Sequence, residues 1–304
     1  MRISWQYTGN EPIKLKTFIR NQGISRHLMA KVRGDGGKVL INGVENRRID
    51  KINPQTVLTI KFPPEENRKN DLIPSYVPLK ILYEDRDFLI IDKPDHVNSI
   101  PSVPQRKDSL VNRVDGYYHL RGYDDLIPHI VTRLDRDTSG VALFAKHRYA
   151  HALLSQQMKQ HAIKKTYLAL LSGNLREDHL VIDRQIGRVP GSLIERQVVS
   201  SGGQEAQTEL WVKKRLPDCT VCDVRLHTGR THQIRVHCKS IGYPLVADTL
   251  YGGQIQLPLQ RQGLHCRKIE FYHPFKKQMM TFESLLPQDM KKYLELEEHK
   301  KTGR

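Results

Sequence analysis

Apolar residues fall at helical spacing twice near the start of the chain: Leu15, Phe18 and Ile19, then Leu28, Met29 and Val32. This predicts two short helices, the first capped by Asn10 and closed by Gly23, the second capped by Ser25. Arg26, Lys31 and Arg33 stay on the outer side of the second helix. The period then drops to two. Lys38 to Ile41, an Asn42-Gly43 turn and a returning strand predict a hairpin. Asn53-Pro54 leads into a last strand, Val57 to Phe62. Residues 63–77 carry three prolines and little periodicity, and are expected to form a linker.

The pattern resumes as ILYEDRDFLIIDKP, a strand, a turn and a second strand stopped by Pro94, with Asp92 and Lys93 expected at an exposed strand end. Residues 95–128 are irregular, apart from a possible helix face at Leu110, Val111 and Val114. Val141, Leu143 and Ala145 alternate with Ala142 and Phe144, which predicts a strand buried on both sides. Ala150, Leu153, Leu154 and Met158 predict a helix from Tyr149 to His161, and Lys164 to Ala169 returns as a strand. GQEAQTELWVKKRL and CTVCDVRLHTG read as neighbouring strands. Thr231 is expected to cap a helix through Ile234, Cys238 and Ile241 that ends at Gly242, and LHCRKIEFYHPF is a late strand. The charge-mixed end, from Asp289, is expected to be a helix that frays. The reading is α+β: a small helix–hairpin domain over 1–65, a linker over 66–77, a large domain over 78–288 with a mixed, mostly antiparallel sheet, and a tail over 289–304.

Charge narrows the choice of partners. The 304 residues hold 49 Lys and Arg against 33 Asp and Glu, a formal charge of +16. The first 70 residues alone hold 14 basic against six acidic side chains. Such a balance points to a polyanion, with nucleic acid first, against the plainer reading of a solvated basic surface. No apolar run of about 18 residues exists, so no membrane span is expected. The first 14 residues lack a signal-peptide core, and the protein is read as cytoplasmic. Cys219 and Cys222 form a CxxC, but on a strand they face opposite sides. Reduced thiols are expected there, and no zinc.

Candidate chemistry gathers in HIVTRLDRDTSG, residues 129–140, where Asp135 and Asp137 sit on a charged loop ahead of the buried strand. Taken alone, the loop reads as a surface loop whose two Asp and two Arg side chains pair with each other; the rest of the chain changes that reading. ILYEDRDFLIIDKP, HIVTRLDRDTSG, KKTYLAL and RLHTGRTHQIRVHCKSIGYPLVADTLYG occur in this order, and together they resemble the RluA-type (RluD-like) RNA pseudouridine synthases over residues 78–286. LKTFIRNQGISRHL and VLINGV, in the first domain, resemble the S4-like RNA-binding module.

The resemblance implies that uridine within RNA is isomerised to pseudouridine without a cofactor or metal, by an enzyme expected to act as a monomer. It implies that Asp135 is the catalytic carboxylate, as nucleophile or as base, and that Arg230 pairs with it. It further implies that Arg133 enters the RNA stack as the base flips out, and that Tyr167 stacks on the base or helps remove its final carbon-bound proton. Asp137 is read as a loop-ordering partner of Arg133 or Arg136, because a metal needs more oxygen ligands than this loop offers. Arg26 and Arg33, together with Lys164, Lys165, Arg235 and Arg267 as a basic rim, are expected to bind RNA. Ribosomal RNA of the large subunit is the favoured substrate. Transfer RNA, a non-catalytic RNA-binding or ribosome-assembly role, and a two-carboxylate glycosidase remain as alternatives.

Overall fold

The computed structural model describes residues 1–45, 50–65, 72–102, 106–123 and 126–302. Two helices open the chain: α1, Leu15–Asn21, and α2, Arg26–Gly34. They pack on an antiparallel four-stranded sheet ordered Arg2–Gln6, Val57–Lys61, Lys38–Ile41, Val44–Glu45. Ser25 caps α2 as expected, its hydroxyl accepting from the Leu28 amide. Asn10 does not cap α1. Lys14 stands at that position without a side-chain cap, because the short strand Ile13–Lys14 runs directly into the helix.

A ten-stranded sheet forms the larger part. Its main path runs His179–Asp183, Gln207–Arg215, Cys219–Leu226, Lys164–Ser172, Leu264–His273, Ser139–Ala145, Phe88–Lys93, Lys80–Glu84. His129–Ile130 and Gln278–Glu283 pair at its sides. The described pairings are antiparallel except between Ser139–Ala145 and Leu264–His273. Every residue of Ser139–Ala145 is buried. Val141, Leu143 and Ala145 pack with Ala150 and Leu154 of α4, Arg148–Lys159, while Ala142 and Phe144 pack with Leu110, Val114 and Tyr118 of α3, Leu110–Leu120. Gly140 makes the parallel seam possible. Its φ is +114°, and a Cβ there would lie 2.2 Å from the Cys266 carbonyl oxygen.

The first domain is not tethered loosely. Tyr149 of α4 lies inside its core, stacked on Phe62 at 5.3 Å, edge-on to Trp5, and donating its hydroxyl proton to the Gln22 carbonyl at 2.6 Å. Gly23 (φ +80°) closes α1 where any Cβ would meet Leu153 of α4 at 2.3 Å. Charges add to this seam: Arg148 pairs with Asp35 and Glu65, and Glu65 also accepts from the Arg148 amide and bonds His129. The expected linker lies partly outside the described residues, over 66–71. From residue 72 it is fixed rather than free: the Ser75 amide donates to the Asn112 carbonyl, and Asn112 donates back to the Ile73 carbonyl.

The C-terminal segment also departs from expectation. Helix α6, Gln288–Thr302, does not fray off the surface, because Met290 and Tyr293 are buried against Leu170, Leu216 and Val221. Helix α5, Gln233–Ser240, follows the strand Cys219–Leu226. The four cysteines are free and buried, and Cys219 and Cys222 lie in different core clusters, on opposite faces of their strand. Among the described residues, no helix is long and apolar enough to cross a membrane.

Two measurements check the domain seam. Tyr149→Ala is expected to cost about 3–5 kcal/mol in urea unfolding, as for other buried aromatic truncations. A cost near zero would mean that the two cores are independent. Burial pushes the Glu65 carboxyl up, but its bond with His129 and the Arg148 contacts outweigh this and hold it below its usual 4.5. Its stabilisation is therefore complete above about pH 4.5 and is lost as pH falls through the lower folded value. Glu65→Gln should flatten the acid limb of the stability curve.

Candidate active site

The loop over 131–138 is built from beneath. Lys93, fully buried, donates from Nζ to the carbonyls of Pro94, Val97 and Arg136 at 2.9, 2.7 and 2.9 Å. Burial pulls its pKa down to about 7, against the pull of Asp135, Asp137 and Asp95. Three carbonyl acceptors require three N–H bonds, so the ammonium is the form that fits. The strand end expected to be exposed is thus the loop's footing. Ser99 bridges the amide and carbonyl of Leu134, and the Asp135 carbonyl accepts from the Thr138 amide. Asp137 bonds both Arg136 and His96, which hold its carboxyl below its usual range despite its burial. It has the loop-ordering contacts expected of it, with Arg136 rather than Arg133.

Asp135 is half-buried on this loop, and its nearest cation is not the one expected. Arg235, on α5, approaches Asp135 Oδ2 to 3.6 Å. Arg235 is buried, clamped by two 2.8 Å bonds to the buried Asp248, with its guanidinium 4.9 Å from the Tyr251 ring centroid. Burial works against its charge, but Asp248 more than compensates. Arg230 lies exposed at the turn before α5, its Nε donating to the Glu205 carbonyl. Both arginines belong to the same GRTHQIR segment. The turn leaves Arg230 outside, whereas Arg235 falls on the inward face of the helix.

Asp135, Arg133, Lys165, Tyr167, Arg230, His232 and Arg235 line one narrow recess of about 80 Å³. Most of these residues also border a cleft of about 1040 Å³, which runs past His96, Ser99, Ile194 and Arg261. Tyr167 is buried on the strand Lys164–Ser172, and burial raises its phenol well above its usual value. It is a neutral hydroxyl. Lys165 turns inward beside it, its Nζ 5.8 Å from the Tyr167 ring centroid, and burial lowers its amine. Arg133 is exposed at the mouth.

The expected rim is therefore redistributed. Lys165 and Arg235 lie within the recess, and Arg235 is too buried to act as a surface contact. Arg267 pairs with Asp223 at 3.3 Å and lines neither the recess nor the cleft, as does exposed Lys164. Arg26 and Arg33 are exposed on α2. Asp248, Tyr251 and Arg261 carry no sequence signal that marks them for the site, Lys93 is expected at an exposed strand end, and His232, grouped with His227 and His237, is expected in a structural or RNA-facing place rather than a catalytic one. Buried Arg261 donates to the Asp137 carbonyl and pairs with Asp95 and Asp289, joining the loop to α6. The one signal for Lys93 was its place between an apolar strand and a proline.

Among the described residues, Asp85, Asp87 and His273 bring possible metal-binding atoms within 4.8 Å of one another. Asp87 is already held by Arg86 and His147. Asp85 is held by two backbone amides, Tyr83 and His273, so the group reads as an ordered strand turn.

Asp248→Ala is expected to destabilise the protein by about 3–5 kcal/mol, because it strands a buried guanidinium. Urea unfolding measures this, and product formation should fall with it as Arg235 loses its fixed direction.

The family profile described as RNA pseudouridylate synthase matches residues 87–240, which contain this loop, the recess strand and α5. A Bacillus subtilis protein called uncharacterized RNA pseudouridine synthase YjbO is 41% identical over 285 residues, 94% of this chain and 99% of that protein. Ribosomal large subunit pseudouridine synthase D of Pseudomonas aeruginosa is 33% identical over 268 residues, covering 83% of this chain and 82% of that protein. Human RNA Pseudouridylate Synthase Domain Containing 4 shares the fold, with a TM-score of 0.59 at 18% identity over 71% of this chain and 92% of that one. The chain belongs to the RNA pseudouridylate synthase family, isomerases that convert uridine in RNA to pseudouridine.

Proposed function

We propose that this enzyme modifies uridines of large-subunit ribosomal RNA in the cytoplasm, as a monomer, with Asp135 as its catalytic carboxylate. The observation that carries the assignment is the meeting of half-exposed Asp135 with the immobilised Arg235 in a recess that opens into a cleft. Arg235 sets a positive charge 3.6 Å from the carboxylate that either nucleophilic attack or proton abstraction would use. In this reading Arg235 takes the pairing role that the resemblance gave to Arg230, and Arg230 contacts RNA at the mouth. Arg133, exposed beside Asp135, fills the place of the flipped base. Tyr167 supports the base within the recess.

Ribosomal RNA is favoured by the relatives named ribosomal large subunit pseudouridine synthase D. It is also favoured by the basic first domain, which we read as an S4-like RNA-binding module presenting Arg26 and Arg33. A glycosidase using Asp135 with Asp137 is disfavoured, because Asp137 is committed to Arg136 and His96.

The test is a map of pseudouridines across total RNA, by carbodiimide-dependent reverse-transcription stops, with and without the gene. Sites in large-subunit RNA should vanish on deletion and return with wild type but not with Asp135→Asn, which should still bind RNA. Sites lost only from transfer RNA would overturn the substrate, and an active Asp135→Asn would overturn the catalytic assignment.

A further inference from the structure

His232 is the residue of the recess that neither the expected chemistry nor the Asp135 pairing uses. It precedes α5 with a left-handed backbone, φ +57° and ψ 20°, and its side chain caps nothing. Non-glycine residues rarely hold that conformation unless their surroundings impose it, and such sites cluster where function needs them. Here the imposing element is Gln233. Its buried side chain accepts from the Arg230 amide and the Thr228 hydroxyl, and donates to the Gln207 carbonyl and the Thr208 hydroxyl. The turn is fixed on four sides, and the imidazole lines both the recess and the cleft.

The hydrogen bonds also fix which ring nitrogen carries the proton. His232 Nδ1 lies 2.8 Å from the hydroxyl of Tyr251, and that hydroxyl already accepts from the Arg196 amide at 3.0 Å. Tyr251 is buried, so its own O–H needs an acceptor. Among the described residues, His232 Nδ1 is the acceptor it has. The imidazole is therefore the Nε2–H tautomer, and Nε2 has no hydrogen-bond partner among the described residues. Burial further favours the neutral ring, against the pull of Asp135.

We propose that His232 is a substrate-contacting residue whose Nε2–H donates to a carbonyl oxygen of the uracil held in the recess. The inference rests on the recess around Asp135 being the catalytic site. Moving the sugar from N1 to C5 passes through a ring that carries extra negative charge, spread onto its carbonyl oxygens. A neutral donor held in place before the reaction stabilises that charge without reorganising. It also leaves the charge of Arg235 for Asp135. Tyr251 acts as a positioning residue in this arrangement, setting the tautomer from one side and lying against the Arg235 guanidinium.

Two substitutions separate this role from a purely structural one. Gln places an amide N–H where Nε2 stands, whereas Asn places its amide near Nδ1 and suits the left-handed backbone better. The readout is the single-turnover rate of pseudouridine formation on total RNA from cells lacking the gene, with RNA affinity measured alongside by filter binding. His232→Gln should retain most of the rate. His232→Asn should lose about 100- to 1,000-fold, the cost of removing one preorganised donor, with RNA affinity unchanged. If Asn equals or exceeds Gln, the residue serves the turn alone and the proposal fails. Asp135→Asn is run in parallel: if it is active, the reading of the site has failed, not that of His232 alone. Should neither His232 variant fold, ¹⁵N NMR of the wild-type imidazole decides. A proton on Nε2 supports the proposal, and one on Nδ1 overturns it.

Discussion

The meeting of Asp135 with Arg235 at 3.6 Å, on a loop half withdrawn from water, orders everything around it. An ionised carboxylate so placed needs a cation close by and a backbone that does not yield. Lys93 supplies the backbone, gathering two carbonyls of the 94–97 segment and one of the loop onto one buried ammonium. Arg235 supplies the neighbouring charge, and Asp248 keeps it from collapsing fully onto Asp135. Two of the three Arg235 nitrogens are committed to Asp248, and the third faces Asp135 at 3.6 Å.

The sheet brings these charges together from distant parts of the chain. Lys93 ends one strand and the loop leads into its neighbour. Tyr167 and Lys165 lie beyond Leu264–His273, and α5 follows the strand next in line. The tight approach at Gly140 and Cys266 joins the antiparallel halves, where a larger residue would push the Asp135 loop away from the Tyr167 strand. The recess is thus a consequence of sheet closure as much as of loop sequence.

Docking of the first domain on α4 has a corresponding effect on the placing of its basic face. Tyr149 belongs to its core although it is encoded in the second domain, and Arg148 and Glu65 span the seam. The basic face of α2 is therefore held in a fixed relation to the cleft.

Much of this was legible in the residues. Period-two and helical patterns gave the buried strand at Val141 to Ala145, the hairpin at Asn42-Gly43 and α4, because side-chain burial follows directly from spacing. The motif around Asp135 carried much of the resemblance that implied the reaction, because a string of that length is specific. What spacing could not say was which arginine of GRTHQIR turns inward. That depends on a left-handed residue at His232, which starts α5 one position later than the Thr231 cap would have set it. Nor could spacing show that Lys93 is buried, that α6 docks, or that the linker is fixed from residue 72, because each depends on partners far along the chain. The sequence by itself determined the elements, the family and the loop that carries Asp135, all local in pattern. Only the tertiary structure decided which charges meet, because an ion pair's partner is set by where the sheet brings two segments together.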